Sequence, residues 1–279
     1  MTFETKTLRE KALRGEPLDI PIIDMHTHIG PKYSRGYHQY AKYVTLEGQM
    51  RMYDLMGIDC CVTRPHGMSD FTSECICAIT AEAAALYPGR IYGYISATPF
   101  EGIDALKKCI DIYADNPAFV GFKLLGGYNG QYTESVYSYA FDYANERGCP
   151  VVCHTWESNP PLSQMAEIAS KHPNLSFIIA HLGGGSERTT REAAEYINEL
   201  DNLYTDTCGS LYNTLSIEDI VEMVGADKIL FGTDAVDIDP RLDFGRMAFS
   251  MISDGDKKKI FAENYLKILS KSTMGRINL

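Results

Sequence analysis

The run IIDMHTHI (22–29) carries two histidines one residue apart, His26 and His28, inside an otherwise apolar stretch. A β-strand turns alternate side chains to one face, so the two imidazoles point together, with Asp24 one step deeper on that face. Unpaired imidazoles are costly in a core, and a shared metal ion would explain why two stand side by side. Comparable polar residues sit in the other apolar runs. CCVTRP (60–65) carries Arg64, FVGFKLLGG (119–127) Lys123, and PVVCHT (150–155) His154. LSFIIAHLGGG (175–185) carries His181, NLYTDTCGS (202–210) Asp206, and KILFGTDAV (228–236) Asp234. Four of the seven histidines fall in this set. Imidazole and carboxylate are the donors that borderline divalent ions take in catalytic sites, where an open position lets the ion lower the pKa of bound water.

Each residue alone has a plainer reading. A histidine at a strand end is more often a satisfied core or loop residue, Asp234 in FGTDA suits a helix cap, and Lys123 could reach out to solvent. His38 and His172 lie in polar stretches with no chemical context, and His66 in TRPHG fits a pocket wall or a loop cap equally. GGGS (183–186) reads first as a tight turn with Ser186 capping the next helix, and second as an anion cradle. The joint pattern carries the weight: several buried imidazoles and carboxylates at one rim need a common partner.

The elements that must position these residues alternate. Eight apolar runs, at 22–29, 60–65, 90–98, 119–127, 150–155, 175–185, 202–210 and 228–236, are each rich in β-branched or aromatic residues and bounded by Gly, Pro, Asn or Asp. Helix-like stretches separate them, among them one over 46–55 that stops at Gly57, and two more follow, over 241–252 and 255–270. Eight strand–helix units predict parallel pairing and a (β/α)₈ TIM-like barrel with closing C-terminal helices; an open doubly wound sheet is the rival. In such a barrel the strand C-termini form the active-site face, where these polar residues cluster. No linker or composition break divides the chain, which reads as one domain over 1–279 with a polar lead at 1–20.

At 279 residues and 45% hydrophobic content the chain can bury a large core. A formal charge of −11 argues against nucleic-acid or anionic-membrane partners. The lead lacks the apolar segment of a signal peptide, and no run is long enough to span a membrane. The eight cysteines mostly sit in apolar runs and read as buried, reduced thiols, so a cytoplasmic location is expected.

The ordered set resembles the amidohydrolase superfamily of metal-dependent (β/α)₈ enzymes. The wording DMHTHIG, GFKLLGG, CHT, AHLGGG and FGTD is similar to its amidohydrolase-related branch, which holds both hydrolases and decarboxylases, and KKKIFAENYLKIL resembles that branch's closing helix. The resemblance runs from about Ile22 to Leu269 and implies His26, His28, His154 and Asp234 as metal ligands. It implies one divalent ion, Zn²⁺ first and Mn²⁺ second, with Asp234 and His181 as catalytic groups. In two-metal members a carboxylated lysine bridges the ions; Lys123 occupies that position, and His181 would then be a ligand. Leu125 stands where the branch often has a His, so no role passes to that position. Arg64, His66, Lys123, Trp156 and Glu157 are the candidate substrate-binding residues.

The expected reaction is hydrolysis of a C–O or C–N bond in a small carboxylate-bearing or cyclic substrate, with Asp234 moving the proton and His181 stabilising the oxyanion. Decarboxylation of an aromatic or unsaturated acid at the same metal is the alternative, and a non-catalytic binding barrel the third reading. A small molecule is the expected partner, and a homodimer the default assembly.

Overall fold

The structure, a computed structural model, describes residues 6–29, 45–65, 72–127, 130–156, 159–184, 186–209 and 216–279. After a short helix α1 (Leu8–Leu13), strands and helices alternate as the sequence predicts: β1 (Ile23–Ile29), α2 (Leu46–Met56), β2 (Cys60–Pro65), α3 (Ser73–Leu86), β3 (Ile91–Ile95), α4 (Ile103–Tyr113), β4 (Phe119–Leu124) and α5 (Ser135–Arg147). The second half adds β5 (Pro150–Cys153), α6 (Leu162–Lys171), β6 (Ser176–Ile179), α7 (Glu187–Glu199), β7 (Leu203–Asp206), α8 (Ile217–Val224) and β8 (Ile229–Leu230). Helices α9 (Pro240–Phe249), α10 (Asp254–Lys258) and α11 (Asn264–Lys271) end the fold.

The eight strands form one parallel sheet in the order β1 to β8. The segment after β8 returns to β1: Met25 N–H donates to the Phe231 carbonyl at 3.0 Å, and Asp234 N–H to the His26 carbonyl at 2.8 Å. This closes the ring of a (β/α)₈ barrel and leaves the rival open sheet without support. Asp24 reinforces the seam, accepting from Thr233 N–H at 3.0 Å, Thr233 Oγ1 at 2.5 Å and Tyr53 Oη of α2 at 2.8 Å.

Two apolar layers hold the ring. Inside it, Ile23, Met25, Val62, Tyr94, Val120, Val152, Ile178 and Leu230 fill the barrel, with Tyr265 and Ile268 of α11 joining the same cluster. Outside it, Cys61, Ile95, Phe122, Val151, Ile179 and Phe231 face the helices. The alternation has two interruptions, and both matter for the site. Between Asp24 and Thr27 the register of β1 against β2 slips by one residue, so Met25 and His26 both oppose Val62. A second slip in β4 sets Gly121 opposite Tyr94. Gly121 has no Cβ because one would lie 2.3 Å from the Pro150 carbonyl oxygen.

The first slip corrects one sequence expectation. His26 and His28 do share the inner face, but Asp24 does not: it points outward to α2, because the extra residue reverses the alternation between them. The cysteine reading needs one amendment, since Cys75 is only partly buried while the other seven are buried, all of them free thiols. Among the described residues no helix is long and apolar enough to cross a membrane.

Candidate metal and substrate site

The inward positions at the strand C-termini converge. His26 and His28 come from β1, Arg64 from β2, Ser96 from the end of β3, Lys123 from β4, His154 follows β5, His181 follows β6, Asp206 ends β7, and Asp234 follows β8. All but His154 and Asp234 are buried, and those two are partly so. His181 adopts the left-handed backbone conformation with φ 63°, as does Asp234 with φ 56°, a conformation uncommon outside glycine that marks functional turns. Gly232 leaves room for His26, whose Cβ would be 2.8 Å from any Cβ placed there.

One donor set is His26, His28 and Asp234, whose ligand atoms all lie within 4.8 Å of one another. Asp234 Oδ1 is 3.2 Å from His28 Nε2 and 3.5 Å from His26 Nε2. On its other side, His26 donates from Nδ1 to Asp206 Oδ2 at 2.7 Å, which turns Nε2 toward the set. Lys123 Nζ sits 2.5 Å from that same Nε2. A lysine amine thus occupies the neighbourhood of the donors. Two imidazole nitrogens and a carboxylate oxygen fit a divalent metal ion in chemistry and spacing.

His154 stands beside this set rather than within it. Its Nδ1 lies 3.2 Å from His181 Nε2, and the two rings meet edge-on with centroids 5.0 Å apart. Trp156, 44% exposed, meets His181 edge-on with centroids 6.3 Å apart and forms part of the rim. Arg64 is buried, and its Nε donates to Ser96 Oγ at 3.1 Å. Among the described residues no carboxylate lies within ion-pair distance of Arg64 or Lys123. His66 and Glu157 lie outside the described residues, as do His38 and Tyr128.

Electrostatics without the ion follow from burial and these contacts. Burial alone would raise Asp234, yet the His28 hydrogen bond and the nearby His181 and His26 hold it well below the usual carboxylate range. Asp206 behaves likewise: His26 and His181 outweigh burial and hold it at about 2. Burial lowers His154, with His181 adding to the effect, and burial also lowers His181. Lys123 is lowered chiefly by burial, and burial takes Arg64 down to about 10, so its guanidinium stays charged at neutral pH.

The profile of the amidohydrolase family matches residues 23–270. The chain belongs to the amidohydrolase family. As an amidohydrolase-family enzyme it resembles solved structures over nearly its whole length. 2,6-Dihydroxybenzoate decarboxylase from Rhizobium shares 17% identity with a TM-score of 0.68, over 90% of this chain and 99% of that one. Dihydroxybenzoic acid decarboxylase from Polaromonas, solved with manganese and the inhibitor 2-nitroresorcinol, shares 18% identity with a TM-score of 0.67, over 90% and 97%. An uncharacterised TIM-barrel protein from Bordetella bronchiseptica shares 17% identity with a TM-score of 0.73, over 90% and 99%. No curated protein matches the chain.

Two contributors to the site escaped functional assignment in the sequence. Ser96 gives no signal in GYISAT, and Cys208 in DTCGS reads as an ordinary core thiol. Two plain readings hold. His172 ends α6 with Nε2 3.1 Å from Asp142, and Ser186 caps α7 in a reciprocal box with Thr189.

Proposed function

We propose that this amidohydrolase-family enzyme is a metal-dependent decarboxylase of small aromatic or unsaturated carboxylic acids. The observation that carries the reading is Arg64, a buried cation with Ser96 as its hydrogen-bond partner and no described carboxylate in ion-pair distance. Burying a charge is expensive, and a substrate carboxylate would offset that expense as a bidentate partner. Lys123 adds an amine donor on the inner face. The decarboxylases among the similar structures, one of them solved with manganese, favour the same reaction class.

His26, His28 and Asp234 would hold the ion. Zn²⁺ or Mn²⁺ suits these donors, and when bound it supplies Lewis-acid polarisation of a substrate oxygen. Arg64, fixed by Ser96, orients the acid. As the carbon–carboxylate bond breaks and CO₂ leaves, its electron pair stays on the carbon, which takes a proton from His181. His154, partly exposed and in contact with His181, returns that proton from solvent.

A second reading, hydrolysis, rests on Asp234. Its side chain is 14% exposed, and its carboxylate is held ionised as a base for an attacking water. The deciding assay offers metal-loaded enzyme hydroxylated benzoates in parallel with lactones, esters and amides that bear a carboxylate. CO₂ release with solvent deuterium appearing on the vacated carbon is the expected result. Cleavage of the second panel alone would replace decarboxylation by hydrolysis, and no turnover of either would remove both.

A further inference from the structure

A second donor set shares His26 with the first, includes His181, and adds Asp206 and Cys208, whose thiol the proposed chemistry does not use. Cys208 Sγ is 3.0 Å from His26 Nδ1, 3.3 Å from His181 Nδ1 and 3.1 Å from Asp206 Oδ1. These four residues offer ligand atoms that all lie within 4.8 Å of one another, and every one is buried. They come from β1, β7 and the turn after β6, so the sheet itself fixes their arrangement. His181 Nε2 lies 3.2 Å from His154 Nδ1, and in the tautomer that carries its proton on Nε2 the Nδ1 lone pair of His181 is turned toward the thiol.

We propose that this inner set is a binding site for a thiophilic divalent ion, and that filling it empties the outer one. A sulfur, two nitrogens and an oxygen form a donor set that Cd²⁺ or excess Zn²⁺ takes readily and hard ions such as Mn²⁺ do not. The present separations are those of hydrogen bonds, and four-coordinate bonds require the donors to spread by roughly half an ångström. On entry the ion replaces the thiol proton, which leaves to solvent, and the proton on His26 Nδ1 moves to Nε2. A protonated Nε2 no longer binds an ion in the outer set. His26 therefore serves one site or the other, and a soft ion inhibits by displacement from within.

The test adds Cd²⁺ to protein loaded with Mn²⁺ and follows two signals. A thiolate-to-cadmium absorption band should grow as free Mn²⁺ appears, ion for ion, in the electron paramagnetic resonance spectrum. Cys208→Ser should take Cd²⁺ in the outer set with no such band. Cadmium NMR of the wild type, whose chemical shift reports sulfur ligation, needs no variant and should show a single sulfur. Cd²⁺ binding without sulfur in the wild type, or an undiminished band in Cys208→Ser, would overturn the site. A full band with Mn²⁺ retained would overturn the exclusion between the two sets.

Discussion

Asp206 decides which nitrogen His26 presents. Its Oδ2 accepts from Nδ1 at 2.7 Å, and its Oδ1 accepts from the His181 backbone N–H at 2.8 Å, so one carboxylate steadies two imidazoles. Carboxylate partners of ligating histidines typically matter by about 10- to 100-fold in metal affinity. Asp206→Asn should weaken metal binding by that order in a chelator-competition titration; unchanged affinity would reduce Asp206 to a structural hydrogen bond. Arg64 makes a different demand. Truncating one partner of a buried charge pair costs about 2–5 kcal/mol, which is roughly 30-fold or more in kcat/KM. Arg64→Met should lose at least that much on a carboxylate substrate while its melting temperature holds or rises, because a buried cation is gone. A destabilised variant with normal kcat/KM would mean that Arg64 serves the fold instead. At this scale the sequence was informative about residue types and blind to their second contacts. His26, His28, His181 and Asp234 announced themselves as polar residues in apolar runs, whereas Ser96 and Cys208 look like any small core residue.

The elements explain how those side chains face one way. A plain two-residue alternation carries Val62 to Arg64, Tyr94 to Ser96 and Val152 to His154 from the barrel core to its rim. In β1 and β4 that rule alone would turn His26, His28 and Lys123 toward the helices, and an extra residue in each strand turns them back. Such slips leave no mark in hydrophobic periodicity, which is why the sequence put Asp24 on the wrong face. Gly121→Ala tests the β4 arrangement. Its methyl meets the Pro150 carbonyl, so overpacking should destabilise by about 1–3 kcal/mol in denaturant unfolding and impair turnover through Lys123. A neutral substitution would show that β4 relaxes freely.

Helix α9 carries a pH-dependent element. Asp243 is fully buried, with Oδ1 2.9 Å from Arg246 Nη1. Burial, only partly opposed by Arg246, lifts its carboxyl from 3.8 to about 7. Because the folded value is the higher, its contribution is fully present below about pH 4 and is lost as pH rises through 7. Asp243→Asn removes that dependence, so the variant's melting temperature should fall less than the wild type's between pH 4 and 7. Parallel profiles would show that Asp243 does not titrate in this way.

For the whole molecule, repetition made the architecture legible. Eight apolar runs separated by helices predicted the ring, and every run contains the strand found there, although from β3 onward the observed strands stop short of the polar ends of the runs, which belong to the rim. Gly57, at φ 70°, ends α2 where the sequence placed the stop. Substrate preference was not legible, since it depends on how rim residues such as Trp156 are arranged in space and not on the period of the strands. The family, the ring and the donor set at its rim all converge on a metal-dependent enzyme, and that claim has a direct test. Metal content per chain should be measured by plasma mass spectrometry on protein purified without chelators, beside His28→Ala and Asp234→Asn. About one divalent ion per wild-type chain, lost in both variants, is the expected result. A wild type that carries no ion and binds none on titration, or variants that keep full occupancy, would contradict it.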